Sequence, residues 1–187
     1  MSSKRASTMP APPKPPTSLA SSLTIAEHAS LTGTHLITLG SNTVVHPRAK
    51  FSSAHAPITV GSNCIICERS SIGFQSEASP NERQGVVIQN DVVIEVGAVV
   101  EAKTVGEGTV IEVQAKIGKG AVLGKHCKIG PQCEIVEGET VPDFTVVYGN
   151  GMRRLDNSGV EDLKLKMVAR QIEVLKRLIP SNPAKFQ

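Results

Sequence analysis

The stretch VGEGTVIEVQAKIGKGAVLGKHCKIGPQCEIVEGETVPDFTVV, Val105–Val147, decides the fold. An aliphatic residue recurs there every six positions: Val105, Ile111, Ile117, Leu123, Ile129, Ile135, Val141 and Val147. Two residues before each of the last seven stands Thr109, Ala115, Ala121, Cys127, Cys133, Glu139 or Thr145, all small except Glu139. Glycine follows the aliphatic at Gly106, Gly118, Gly124 and Gly130. In an extended segment, residues two apart share a side. The small and aliphatic residues therefore point inward, and the residue between them points out. The glycine is expected to help the turn through its tolerance of positive φ. Six residues are too few for hairpins to enclose a core. Three units can instead close a triangular coil, with each strand lying parallel to its predecessor at roughly 4.7–4.9 Å.

The pattern extends backward through Leu31, Leu39, Val45, Phe51, Val60, Ile66, Ile72, Ile88, Ile94 and Val100. Steps other than six occur at Leu31–Leu39, Phe51–Val60, Ile72–Ile88 and Val100–Val105, after every third unit. Irregularities confined to one corner of a prism are what three units per coil require. The expected fold is mainly β: a parallel β-helix of about six coils over 23–152, with a loop insertion at 74–85. Composition agrees. Of 187 residues, 3% are aromatic and 16 are Gly, as suits a narrow core of aliphatic side chains.

Residues 1–22 hold five prolines between Pro10 and Pro16 and are expected to form a disordered tail. The stretch is basic and acid-free like a mitochondrial presequence, but its prolines oppose the amphipathic helix such a signal needs. The third segment, 153–187, contains SGVEDLKLKMVARQIEVLKRLI (158–179), which the pattern makes helical. Ser158 and Glu161 form a capping-box pattern, and Pro180 stops the run. Leu165, Val168, Ile172, Leu175 and Ile179 make one apolar stripe, and Val160, Leu163, Met167, Val174 and Leu178 a second. Either one stripe packs on the body and the other on a partner, or both lie in a deep groove. The net charge of +3 divides into a basic tail, an acidic β-helix and a basic helix, which gives no general nucleic-acid surface. No apolar run reaches the ~18–20 residues that cross a bilayer.

The outward residues sort into three faces. Thr38, Thr59, Val87, Thr104, Val122 and Thr140 line one, and Lys50, Ser71, Val99, Lys116 and Glu134 another. The third, Val44, Ile65, Val93, Val110, Lys128 and Val146, is mostly aliphatic, so a cover is expected over it. Val44, Ile65, Val93, Val110 and Val146, with Leu165, Val168, Ile172 and Leu175 of the helix, are the candidate interface residues.

The hexads resemble the hexapeptide-repeat family over roughly Ile25–Gly149, which implies a left-handed parallel β-helix. That family includes acyltransferases, gamma-class carbonic anhydrases and non-catalytic assembly subunits. TVVHPRAKF (Thr43–Phe51), NDVVIEVGAVVEAKTVGEGTVIEVQAKIG (Asn90–Gly118) and TVVYGNGMRRL (Thr145–Leu155) further resemble the dynactin subunit 6 family. The Pro-rich N-terminus and the short Phe74–Gly85 insertion depart from its pattern. This resemblance implies a scaffold, not an enzyme, without cofactor or metal. Its implied partners are dynactin subunit 5, the actin-related protein and the subunit-4-type component of the pointed end, with dynein adaptors reached indirectly. It also implies a place in the cytoplasm and cytoskeleton, without membrane insertion.

The enzyme alternative is a homotrimeric acyltransferase or zinc hydratase. A zinc hydratase needs converging imidazoles, and His28, His35, His46, His55 and His126 show no family metal signature. Acyl transfer needs a histidine base. His126, at a corner between Lys125 and Cys127, is the candidate, against the blander expectation that it is simply solvated. Cys64 and Cys67 form a CxxC, but the repeat frame makes Cys64, Cys127 and Cys133 small inward residues and Cys67 a corner residue.

Overall fold

The computed structural model describes residues 14–77 and 85–187. Short strands run parallel in three sheets, and each chain turn contributes one strand to each sheet. The register reproduces the outward rows: Val44 pairs with Ile65, Ile65 with Val93, Val93 with Val110, Val110 with Lys128, and Lys128 with Val146. The inward column Val45, Ile66, Ile94, Ile111, Ile129 and Val147 is fully buried in a core that runs the length of the prism. Period-two alternation thus becomes a stack, because every strand repeats the same inward choice.

Two expectations at the N-terminal side need correction. Thr17–Leu19, assigned to the tail, form a strand that pairs in parallel with Ile37–Leu39, so the first coil begins inside that segment. Residues 1–13 lie outside the described residues, as do 78–84, which hold most of the polar insertion. Phe74, assigned to that insertion, is instead a core residue at 1% exposure.

The glycines that follow the aliphatics also act differently from the sequence expectation. Gly106 keeps ordinary φ, but a Cβ there would lie 2.3 Å from the Gly124 carbonyl oxygen in the next coil. Close approach of backbones is what excludes a side chain. Positive φ falls two residues later at this corner, at Asn42, Asn63, Asp91, Gly108, His126 and Phe144. Asn, Asp and His are the side chains found most often in that conformation, whereas Phe adopts it at a cost.

Helix α1 spans Glu161–Leu178 and lies along the third face. Ser158 does not cap it. Val160 occupies the cap without a side-chain hydrogen bond, because Asp156 engages the local groups instead: it accepts from the Ser158 N–H at 3.2 Å and from Lys164 Nζ at 2.7 Å. These bonds hold the Asp156 carboxyl well below its ordinary range, the Lys164 bond foremost. At the other end, Lys176 Nζ donates to Asn42 Oδ1 at 2.8 Å, so the helix runs back toward the first coils. Beyond it, Ser181 Oγ accepts from the Ile25 N–H at 3.0 Å, and the Asn182 N–H donates to the Ile25 carbonyl at 3.0 Å. Phe186 then packs on the core beside Leu19. At the opposite end, Met152–Leu155 turn back antiparallel on Thr145–Tyr148.

Candidate active site

The candidate interface residues are occupied within the chain. Val44, Ile65 and Val93 form a buried cluster with Ile172, flanked by Val110, Val168, Leu175 and Ile179. Val146 is buried in the body, and Leu165 is half-buried on the helix. The third face is therefore covered by the chain's own helix. Its second stripe stays in solvent.

The third face has one charged member, Lys128, and the packing opens beside it. A cavity of about 220 Å³ lies between Gly108, Val110, His126, Cys127, Lys128 and Lys164. The Lys128 side chain reaches across to Glu112 Oε1 at 2.9 Å. His126 enters from the positive-φ corner column, its N–H donating to the Glu107 carbonyl at 2.7 Å. Its ring stacks on Phe144, with centroids 5.4 Å apart and planes 18° from parallel. On the other side the ring lies over Gly108, where a Cβ would meet Nδ1 at 2.4 Å. His126 is thus clamped and half-buried: a bare glycine admits the ring from one side and a phenyl ring backs it from the other.

Asp91 occupies the next place in the same column beyond Gly108. Its carboxyl is pushed above the ordinary range, first by burial. The Glu107 carboxylate adds to the rise, while an Asn63 hydrogen bond and the positive charge of His126 oppose it. Asp91 and His126 thus stand on either side of Gly108 in one corner column. Lys125 and Glu107 form an ion pair at 3.5 Å on the adjacent column. Sequence reasoning found His126 but missed Asp91, Gly108 and Phe144. Their common signal was the third position after each inward aliphatic at that corner.

The other histidines lie apart from this corner. His35 Nδ1 bonds the Ser53 carbonyl at 2.8 Å, and the half-buried His46 has its pKa lowered mainly by burial. Among the described residues, no three His, Cys, Asp or Glu side chains gather to hold a metal. Cys64, Cys127 and Cys133 are buried in the core as free thiols. Cys67 sits at the expected corner directly after Ile66, and from there packs beneath the helix. Burial pushes the Cys64 thiol up to about 12 and the Cys67 thiol to about 11, which removes both as nucleophiles near neutrality.

The chain matches no protein-family model and no curated protein. Among solved structures it is similar to a hexapeptide transferase family protein from Anaplasma phagocytophilum. That match has 14% identity and a TM-score of 0.62, covering 88% of this chain and 96% of that one. It is also similar to a protein from Bacillus cereus assigned as an acetyltransferase, at 15% identity and a TM-score of 0.59, covering 88% and 95%. The fold is a left-handed parallel β-helix of hexapeptide repeats. These matches overturn two expectations: the assignment to dynactin subunit 6, and the expectation that the chain is not an enzyme. The motifs behind that assignment were mostly hexads, and any chain forming these coils must repeat them.

Proposed function

We propose that the chain transfers an acyl group from a thioester to a hydroxyl or amine acceptor, with His126 as general base. The observation carrying this reading is the clamped imidazole beside the cavity, with the Asp91 carboxylate beyond Gly108 on its Nδ1 side. The Phe144 stack and the Gly108 gap fix the orientation of the imidazole, and a carboxylate nearby in the column favours its protonated form. The description of both neighbours as transferases supports the same class.

In the proposed reaction His126 takes the acceptor proton as oxygen or nitrogen attacks the thioester carbonyl. The new C–O or C–N bond forms, the C–S bond breaks, and the proton passes to the departing sulfur. Lys128 and Lys164, the two cations lining the cavity, supply positive charge for the oxyanion or for anionic groups of the donor. The clustering of imidazole and ammonium groups without further imidazoles favours acyl transfer over zinc hydration.

The test is release of free thiol from acetyl-coenzyme A over a panel of amine and hydroxyl acceptors. His126→Ala should lower turnover by about 10²–10⁴ while the protein stays folded. Asp91→Asn should lower it less and alter its pH profile. A wild-type protein inert across the panel, or a fully active His126→Ala variant, overturns the proposal.

A further inference from the structure

The second stripe of α1 has no cover in the chain. Leu163, Met167, Val174 and Leu178 are 58%, 63%, 56% and 69% exposed, on a helix whose opposite side is docked. Four large apolar side chains in one row on a docked helix form a contiguous patch, not scattered exposure.

The order of residues along this stripe is nearly the same read in either direction. Leu163, Met167 and Gln171 form one ridge at four-residue spacing, and Arg170, Val174 and Leu178 form the next. Reversing the helix carries the first ridge onto the second. Leu163 then meets Leu178, and Met167 meets Val174. A surface that maps onto itself under reversal is what a two-fold interface between identical chains requires.

The charges choose the same arrangement. The first turn carries Glu161 and Asp162, and the last carries Lys176 and Arg177. Asp162, Lys166, Glu173 and Arg177 lie on one flank of the stripe. A two-fold axis between antiparallel helices brings each such flank against its own copy. In the register that sets Leu163 on Leu178, the Arg177 of the second copy lies two residues, about 3 Å along the axis, from opposite Asp162. Its Glu173 lies the same distance from opposite Lys166, within reach of these long side chains. A parallel pairing would set Lys166 against Lys166 and Arg177 against Arg177. Among the described residues, Asp162, Lys166 and Arg177 have no ion-pair partner in the chain, and Glu173 has only Lys176 at 3.5 Å. One contact opposes the pairing: at the centre Arg170 sets a charge in the apolar row, against Gln171 of the second copy.

We propose that α1 is a self-association surface, joining two copies of this chain antiparallel through Leu163, Met167, Val174 and Leu178 with reciprocal Asp162–Arg177 and Lys166–Glu173 pairs. The inference is independent of the acyl-transfer reading, because none of the four stripe residues lines the His126 cavity.

Sedimentation of the full-length protein at micromolar concentration tests it. The wild type should be a dimer, and Met167→Lys with Val174→Lys should raise the dissociation constant roughly tenfold or more without moving the melting temperature. Lys166→Glu alone should weaken the dimer, and adding Glu173→Lys should restore it, since the reversed pair re-forms. Arg170→Leu should tighten it. A wild-type monomer overturns the proposal. So does a dimer or trimer indifferent to these substitutions, or a Lys166→Glu defect that Glu173→Lys fails to rescue.

Discussion

Thr109 shows what a single inward position does beyond filling space. Its hydroxyl donates to the Gly124 carbonyl at 2.9 Å and accepts from the Cys127 N–H at 3.1 Å. Thr43 repeats the device in an earlier coil, donating to Gly61 O at 2.8 Å and accepting from Cys64 N at 3.2 Å. Both threonines are fully buried, so these bonds satisfy backbone groups that water does not reach. Thr109→Val keeps the shape and removes both bonds. It should lower stability by about 1–3 kcal/mol, and Thr109→Ser should recover most of the loss, as chemical denaturation would read. Equal stabilities for the valine and wild-type proteins would refute the bridging role. In the sequence Thr109 and Ala115 look alike, since both are merely small. Hydroxyl chemistry becomes visible only when the next coil's backbone is known. The same limit hid Asp91 and Phe144, whose relation to His126 runs through coil stacking rather than sequence distance.

The helix was legible as an element, and its docking face was legible as a stripe. The repeat pattern likewise predicted all three outward rows, because period two and the six-residue step are enforced along the whole core. What lay beyond the pattern was the choice of cover. An aliphatic face asks to be buried, but it does not say by what, and a partner chain satisfies it as well as a helix. The structure supplies the cover from the same chain, with Ile172 at 2% exposure the most buried residue of α1. Ile172→Ala should therefore cost about 2–5 kcal/mol, or less where the edge collapses around it. The loss should appear as early proteolysis within Glu161–Leu178 ahead of the β-helix. Val93→Lys, which points a charge into the same cluster, should act in the same direction. Unchanged protease resistance in both variants would mean that the helix is not held by this contact.

At the scale of the molecule, a stack of coils has two ends, and each end is a sheet edge with an exposed core cross-section. The ends are closed differently. The lower edge is folded over by Met152–Leu155, a strand paired antiparallel with its own hairpin partner. The upper end is closed by the last residues of the chain. Ser181 and Asn182 bond both sides of Ile25, Thr17 Oγ1 donates to the Phe186 carbonyl at 2.7 Å, and Phe186 covers the core. In a solenoid each coil is stabilised mainly by its neighbours, so losing a cap should loosen the nearest coil first. Deleting 180–187 should therefore raise amide exchange in Thr17–Leu19 and Thr24–Ile25 by orders of magnitude. Strands from Thr104 to Val147 should keep their protection, because nothing there touches the cap. A uniform rise along the chain would instead mean that the β-helix unfolds as one cooperative unit, with the C-terminal segment contributing to all of it. Full protection of the first coil would mean that the cap contributes nothing, and that Leu19 and Leu23 close the core unaided.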